Sequence, residues 1–185
     1  AGAAVTGGTG EYNAFSFNGI GSGTVLENLQ AYKGADDGFE FFGGTVAATN
    51  LAAFGMEDDS IDWDRGFRGT LTNIWIIQPS NGDFGFELSN LPSEFNSTPR
   101  SNPTVSNVTI VGSGNATKAA FNFKEGTEGN ISKVVASNVG YGVDLRNQLD
   151  QFEDGTLRIT NATITFQTAL TKNGVDATNI DGIVT

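Results

Sequence analysis

The chain has 185 residues, with 21 acidic against 10 basic side chains, a formal net charge of −11, no cysteine and no histidine. That balance argues against a nucleic-acid binder, whose phosphates demand clustered Lys and Arg, and points instead towards cations. It also excludes a disulfide framework, thiol chemistry and a histidine general base, and no apolar run of about 18 residues exists to span a membrane as a helix.

Residues 1–22 are rich in Gly and Ala with one alternating patch, Phe15-Ser16-Phe17, and read as an N-terminal cap or partial coil. The chain opens at Ala1 without a basic region or apolar core, which suits a mature product whose signal peptide has gone, so an extracellular or cell-surface location is expected. From residue 23 a two-part pattern begins. In residues 23–44, Asn28-Leu29-Gln30-Ala31 starts an inward-outward alternation, and Phe39-Glu40-Phe41 places an acid between apolar neighbours. Residues 45–69 repeat both parts as Asn50-Leu51-Ala52-Ala53 and Ile61-Asp62-Trp63. Residues 70–103 do so as Asn73-Ile74-Trp75-Ile76 and Phe86-Glu87-Leu88, then carry a surplus at 89–103. There Asn, Ser and the prolines Pro92, Pro99 and Pro103 read as a projecting loop. Residues 104–129 continue with Asn107-Val108-Thr109-Ile110 and Phe121-Asn122-Phe123. In 130–155 Lys133 stands in for the asparagine, Val143-Asp144-Leu145 follows, and a small excursion is expected from Arg146 to Asp154. The last unit, 156–185, carries Asn161-Ala162-Thr163-Ile164.

A unit that returns after 22 to 26 residues, or later where a loop is inserted, is a solenoid coil. Helical repeats would need apolar residues at i, i+3, i+4 and i+7, which these segments lack. The expectation is therefore an all-β, right-handed parallel β-helix of about six coils over 23–185. Equivalent residues then stack about 4.8 Å apart. Leu29, Leu51, Ile74, Val108 and Val134 should line the interior, as should Phe39, Ile61, Phe86, Phe121 and Val143. The asparagines should form a ladder of turn residues, since an amide both donates and accepts along a stack and its side chain tolerates tight-turn backbone.

Three motifs in order, Ala35-Asp36-Asp37-Gly38-Phe39-Glu40-Phe41-Phe42-Gly43-Gly44, Asp58-Asp59-Ser60-Ile61-Asp62-Trp63 and Pro99-Arg100-Ser101-Asn102-Pro103-Thr104, resemble a family of bacterial surface or secreted β-helix proteins often labelled lipoproteins. The resemblance covers most of residues 20–145 and implies an exported parallel β-helix, with no enzymatic activity to carry over.

Any chemistry is expected in the acidic column. Four residues before Glu40, Asp62 and Glu87 stand Asp36, Asp58 and Asp83, so three successive coils each place two carboxylates at one offset, and Glu57 and Asp64 crowd the middle coil. A column of small residues, Gly38, Ser60, Gly85, Ala120 and Gly142, reads as leaving that surface open. Carboxylates one coil apart repel by about 3 kcal/mol at an effective dielectric of 20, a cost that a cation removes. Calcium fits, because it accepts six to eight oxygens in irregular geometry, whereas zinc and copper want His or Cys. The metal-ligating candidates are Asp36, Asp37, Glu40, Asp58, Asp59, Asp62, Asp83 and Glu87. Asp37 and Asp59 share a column with Phe84, Ala119 and Tyr141, an inward or turn position where a carboxylate must accept backbone N–H groups. The plainer reading is a solvated acidic face with Lys33, Arg65 and Arg68 as counter-ions.

Parallel β-helices that resemble this coil plan include polysaccharide lyases and glycoside hydrolases. A hydrolase would draw a carboxylate pair from Asp58, Asp62 and Asp83, and a lyase would use calcium with Arg65, Arg68 or Arg100 as base. Six coils make a short platform and histidine is lacking, so a non-enzymatic structural role is the reading adopted, with a carbohydrate-active or carbohydrate-binding module as the alternative. Exposed Trp75 or Tyr32 would serve stacking on sugars, while Trp63 and most phenylalanines fall inward. Asn-X-Ser/Thr triplets begin at Asn96, Asn107, Asn115, Asn130 and Asn161. Asn107 and Asn161 are expected hidden in the ladder, and Asn96 and Asn115 exposed. No amphipathic helix caps either end, and Ile159, Ile164, Phe166 and Ile180 continue the alternation, so head-to-tail stacking into a homo-oligomer or filament is expected.

Overall fold

The computed structural model describes residues 12–146, 154–173 and 180–184. The expected excursion from Arg146 to Asp154 falls largely outside the described residues. Every strand pairing is parallel, and no helix occurs among the described residues. The strands are β1 (Phe15–Asn18), β2 (Val25–Tyr32), β3 (Phe39–Phe42), β4 (Ala47–Phe54), β5 (Ile61–Asp64), β6 (Thr70–Ile77), β7 (Phe86–Leu88), β8 (Thr104–Val111), β9 (Ala119–Lys124), β10 (Gly129–Arg146), β11 (Leu157–Lys172) and β12 (Ile180–Val184). The chain is a right-handed parallel β-helix of about six coils.

Two ladders run along it. One stacks β2, β4, β6, β8 and the first half of β10; the other stacks β1, β3, β5, β7, β9 and the second half of β10. β10 is continuous across both, so a coil that earlier needs two strands and a turn becomes one bent strand. The register is the one the repeats define: Leu29, Leu51, Ile74, Val108 and Val134 align, as do Phe39, Ile61, Phe86, Phe121 and Val143. All are buried except Leu29, which lies at the end coil and is half-buried.

The asparagine column owes its position to backbone conformation. Asn28, Asn50, Asn73, Asn107, Lys133 and Asn161 all have φ between 52° and 60°. An L-residue there costs roughly 1–2 kcal/mol, least for Gly and Asn. The left-handed residue inserts one extra outward step, so Thr72 and Asn73 both face out before Ile74 returns inside. Amides bridge successive rungs, Asn50 Nδ2 donating to Asn28 Oδ1 at 2.8 Å, Asn73 to Asn50 at 2.8 Å and Asn107 to Asn73 at 2.7 Å. Consequently Asn107 and Asn161 are exposed, not hidden as the stacking argument expected, while Asn96 is exposed and Asn115 half-buried.

The interior is filled by aromatic stacks, Phe15 on Phe39 and Phe17 on Phe41 at 5.0 Å, Phe41 on Phe67 at 4.7 Å and Phe86 on Phe121 at 5.0 Å. Trp63 is fully buried and donates its indole N–H to Thr127 Oγ1 at 3.0 Å. The small-residue column also lies inside. A Cβ on Gly38 would stand 2.5 Å from the Ser60 carbonyl oxygen and 3.2 Å from Ala53 Cβ, and one on Gly85 would stand 2.7 Å from the Ala120 carbonyl oxygen. These positions are small because neighbouring backbone leaves no room, not to open a surface. The 89–103 loop contains no strand, and its base is tied by buried Asn90, which donates to the carbonyls of Phe95 and Ser97 and accepts from Ser101 N–H.

Candidate metal centre

In two successive coils the turn from one ladder to the other ends in two acids, Asp36-Asp37 before β3 and Asp58-Asp59 before β5. Parallel stacking sets these turns in register, and the second acid of each points along the axis. Asp37 Oδ1 accepts the Asp59 N–H at 3.1 Å, and Asp59 Oδ1 accepts the Phe84 N–H at 2.7 Å. Both side chains are buried, and the backbone bonds expected of that column are present.

On the adjoining strands Glu40 and Asp62 pair in register and face outward beside Asp37. Two groups of carboxylate oxygens result, Asp36 with Asp37 and Asp58, and Asp37 with Glu40 and Asp62, each group lying within 4.8 Å. Asp37 belongs to both. Among the described residues, Asp62 Oδ1 is sealed from solvent with no hydrogen-bond partner, as is Asp64 Oδ1, whose other oxygen takes Arg65 Nε at 2.9 Å. Among the described residues, Asn13 Nδ2 is the side-chain donor to Glu40.

Such crowding disfavours the ionised forms. Burial, with Asp58 and then Glu40 and Asp36 nearby, raises Asp37 to about 8, against the Asp59 N–H bond that lowers it. Burial chiefly raises Glu40 to about 7, and it pushes Asp59 and Asp62 well above the carboxylate range. Two oxygens bound to one calcium at roughly 2.3–2.6 Å stand no more than about 5 Å apart, so either group can share an ion. The donor set is all oxygen, which suits a hard cation.

Five of the eight candidate ligands, Asp36, Asp37, Glu40, Asp58 and Asp62, thus come together. Asp59 is turned to the Phe84 N–H, and Asp83 and Glu87 are held by lysines: Lys118 Nζ lies 2.6 Å from Asp83 and Lys124 Nζ 2.6 Å from Glu87. Glu87 also accepts Asn122 Nδ2 at 2.9 Å. Further along, buried Asp144 meets Arg146 at 3.2 Å, Lys172 at 3.3 Å and Asn173 Nδ2 at 2.6 Å. One face therefore changes from clustered carboxylates in its first coils to lysine and arginine ion pairs in its later ones. The lysines escaped the sequence reading, yet the signal was present: Lys118 stands four residues before Asn122, the offset that found Asp36, Asp58 and Asp83. Of the basic residues considered for a lyase, Arg65 is engaged by Asp64, and Arg100 by the Gly126 carbonyl at 2.7 Å and Glu128 at 3.4 Å.

Residues 1–184 match a family model described as a pectate-lyase-like beta helix domain. No curated protein and no solved structure matches the chain.

Proposed function

The chain belongs to the pectate-lyase-like β-helix family, and from that premise we propose that it is an extracellular, non-enzymatic structural β-helix clamped by calcium at its acidic face and stacking end to end. One observation carries the reading: Asp37, Glu40 and Asp62 converge within 4.8 Å, with Asp62 Oδ1 buried and unpartnered. Burying ionised oxygens without partners is costly, and a divalent cation shared by Asp62 with Asp37 and Glu40 relieves it. The likeness of the three sequence motifs to bacterial surface proteins supports the location. Thermal melts test the clamp. An ion bound only by the folded state at about 100 times its Kd stabilises by about 2.7 kcal/mol, so calcium is expected to raise Tm over a chelated sample. Coincident melting curves with calcium and chelator would remove the proposal.

A second reading, polysaccharide cleavage at the same face, draws support from the basic residues Lys118, Lys124 and Arg146 that border the acids, and from the family. It requires release of unsaturated or reducing ends that disappears in Asp62→Asn or Asp58→Asn. The structural reading expects no such release from acidic or neutral polysaccharides.

A further inference from the structure

The outward face of the other ladder is built on a different principle. β4, β6 and β8, eight residues each, contain no charged side chain, in a chain with 21 acidic and 10 basic residues. Register stacks their outward positions into columns, Ala52, Trp75 and Thr109 in one and Phe54, Ile77 and Val111 in the next. Trp75 is 53% exposed. Its ring stands edge-on to Phe54, 5.5 Å between centroids at 87°, and its column neighbours Ala52 and Thr109 are small. The indole therefore forms a wall beside a shallow groove of about 310 Å³, lined also by the amides of Asn50, Asn73 and Asn107. Each of these amides commits one N–H to the neighbouring rung, which leaves a second N–H and an oxygen lone pair for a ligand.

We propose that this face binds a neutral, extended glycan chain, with a sugar ring stacked on Trp75 and hydroxyls bonded to the amides of Asn50, Asn73 and Asn107. The chemistry matches on three counts. An aromatic wall accepts the C–H face of a pyranose, and amides donate to and accept from hydroxyls. The rungs repeat at about 4.8 Å, close to the length of one sugar unit in an extended chain, so successive amides meet successive residues. The absence of charge on β4, β6 and β8 fits a neutral polymer, whereas a uronate chain would meet a molecule of net charge −11 and would find its cation, Lys133, one rung beyond Asn107 rather than along the groove. A second copy of the chain fits less well, because it would bury three amides whose remaining N–H groups face an apolar wall, at about 1–3 kcal/mol for each left unsatisfied.

The site is separate from the acidic face, so its test is too. Purified protein is pelleted with microcrystalline cellulose, chitin and a β-1,3-glucan, with polygalacturonate as acidic control, and acrylamide quenching of tryptophan is followed with soluble oligomers of each. The chain has two tryptophans and Trp63 is fully buried, so a change in quenching reports Trp75. Expected are retention on at least one neutral polymer with shielding of Trp75, a loss of about tenfold or more in Trp75→Ala, a smaller loss in Trp75→Phe, unchanged binding in Asp62→Asn on the opposite ladder, and a loss in Thr109→Lys, which fills the groove from an exposed position. Retention on none of the neutral polymers, equal binding by Trp75→Ala and Thr109→Lys, or binding confined to polygalacturonate would overturn the proposal. So would a dimer in the absence of glycan that dissociates in Trp75→Ala, which would assign the face to a second copy.

Discussion

Asp62 sits between opposed demands, since its strand position fixes it beside Glu40 and near Asp37 while its inner oxygen has no donor to receive. Without a cation the cluster can relax only by taking up protons. For an acid whose folded pKa lies above its unfolded value, the native state holds more protons between the two, so stability falls as pH rises through that window. Asp37, at about 8 when folded against 3.8, and Glu40, at about 7 against 4.5, set the window from about pH 4 to about pH 8. Chelated protein is thus expected to melt higher at pH 5 than at pH 8, and calcium to narrow the difference; a chelated melting temperature that rises over this range would contradict the raised values. Asp62→Asn removes one charge and supplies an N–H₂ that Asp37 and Glu40 can accept. Its chelated form is expected to melt above the chelated parent at pH 8, with the calcium increment reduced, and scanning calorimetry of the four samples measures both effects.

At the level of strand and turn, the left-handed residue governs the coil. Asn73 has φ of 59° and both donates to Asn50 and accepts from Asn107. Asn73→Ala loses the ladder bonds and places Cβ in the left-handed region, so a loss of about 2 kcal/mol is expected in urea unfolding. Asn73→Gly loses the bonds but not the backbone freedom and should cost less; equal losses would assign the effect to the side-chain bonds alone. Gly38→Ala tests the inner column. Its Cβ would meet the Ser60 carbonyl at 2.5 Å, so a loss of about 1–3 kcal/mol is expected. The same residues explain what was legible in the sequence. Alternation after each asparagine located Leu51, Ile74 and Val108 inside, because side chains alternate faces along a strand. It misplaced Asn107 and Asn161, because a left-handed φ adds an outward step that composition does not mark. Gly38 and Gly85 were read as open surface for a related reason: at the turn into a strand, two successive residues face the interior. Counting by fixed offsets gathered Asp36, Asp58, Glu40 and Asp62. It did not separate out Asp83 and Glu87, whose lysine partners lie 35 and 37 residues further along and become neighbours only through stacking.

Taken whole, the solenoid is polar along its axis. Its first coils hold the clustered carboxylates Asp36, Asp37, Glu40, Asp58 and Asp62, whereas six of the ten basic residues lie between Lys118 and Lys172. Among the described residues, β1 pairs only with β3 and β2 only with β4, so both strands that begin the ladders present a free edge, and β12 pairs only with β11 at the opposite end. Parallel edges of like register can accept another coil at the 4.8 Å spacing. The proposed head-to-tail contact would set the acid-rich first coils of one molecule against the last coils of the next, which over residues 130–185 carry four basic and six acidic side chains, so backbone pairing and not net charge would hold it. The contact is heterologous and propagates unless its rotation closes a ring. Exposed charges more than about 8–10 Å apart are screened at physiological salt, so repulsion between the two acidic ends should weaken as salt rises while the edge pairing persists. Light scattering across protein concentration is expected to give a mass that grows with concentration and persists in high salt, with elongated particles by electron microscopy. A monodisperse 19.4 kDa species at high concentration in both low and high salt, with and without calcium, would exclude assembly through these ends.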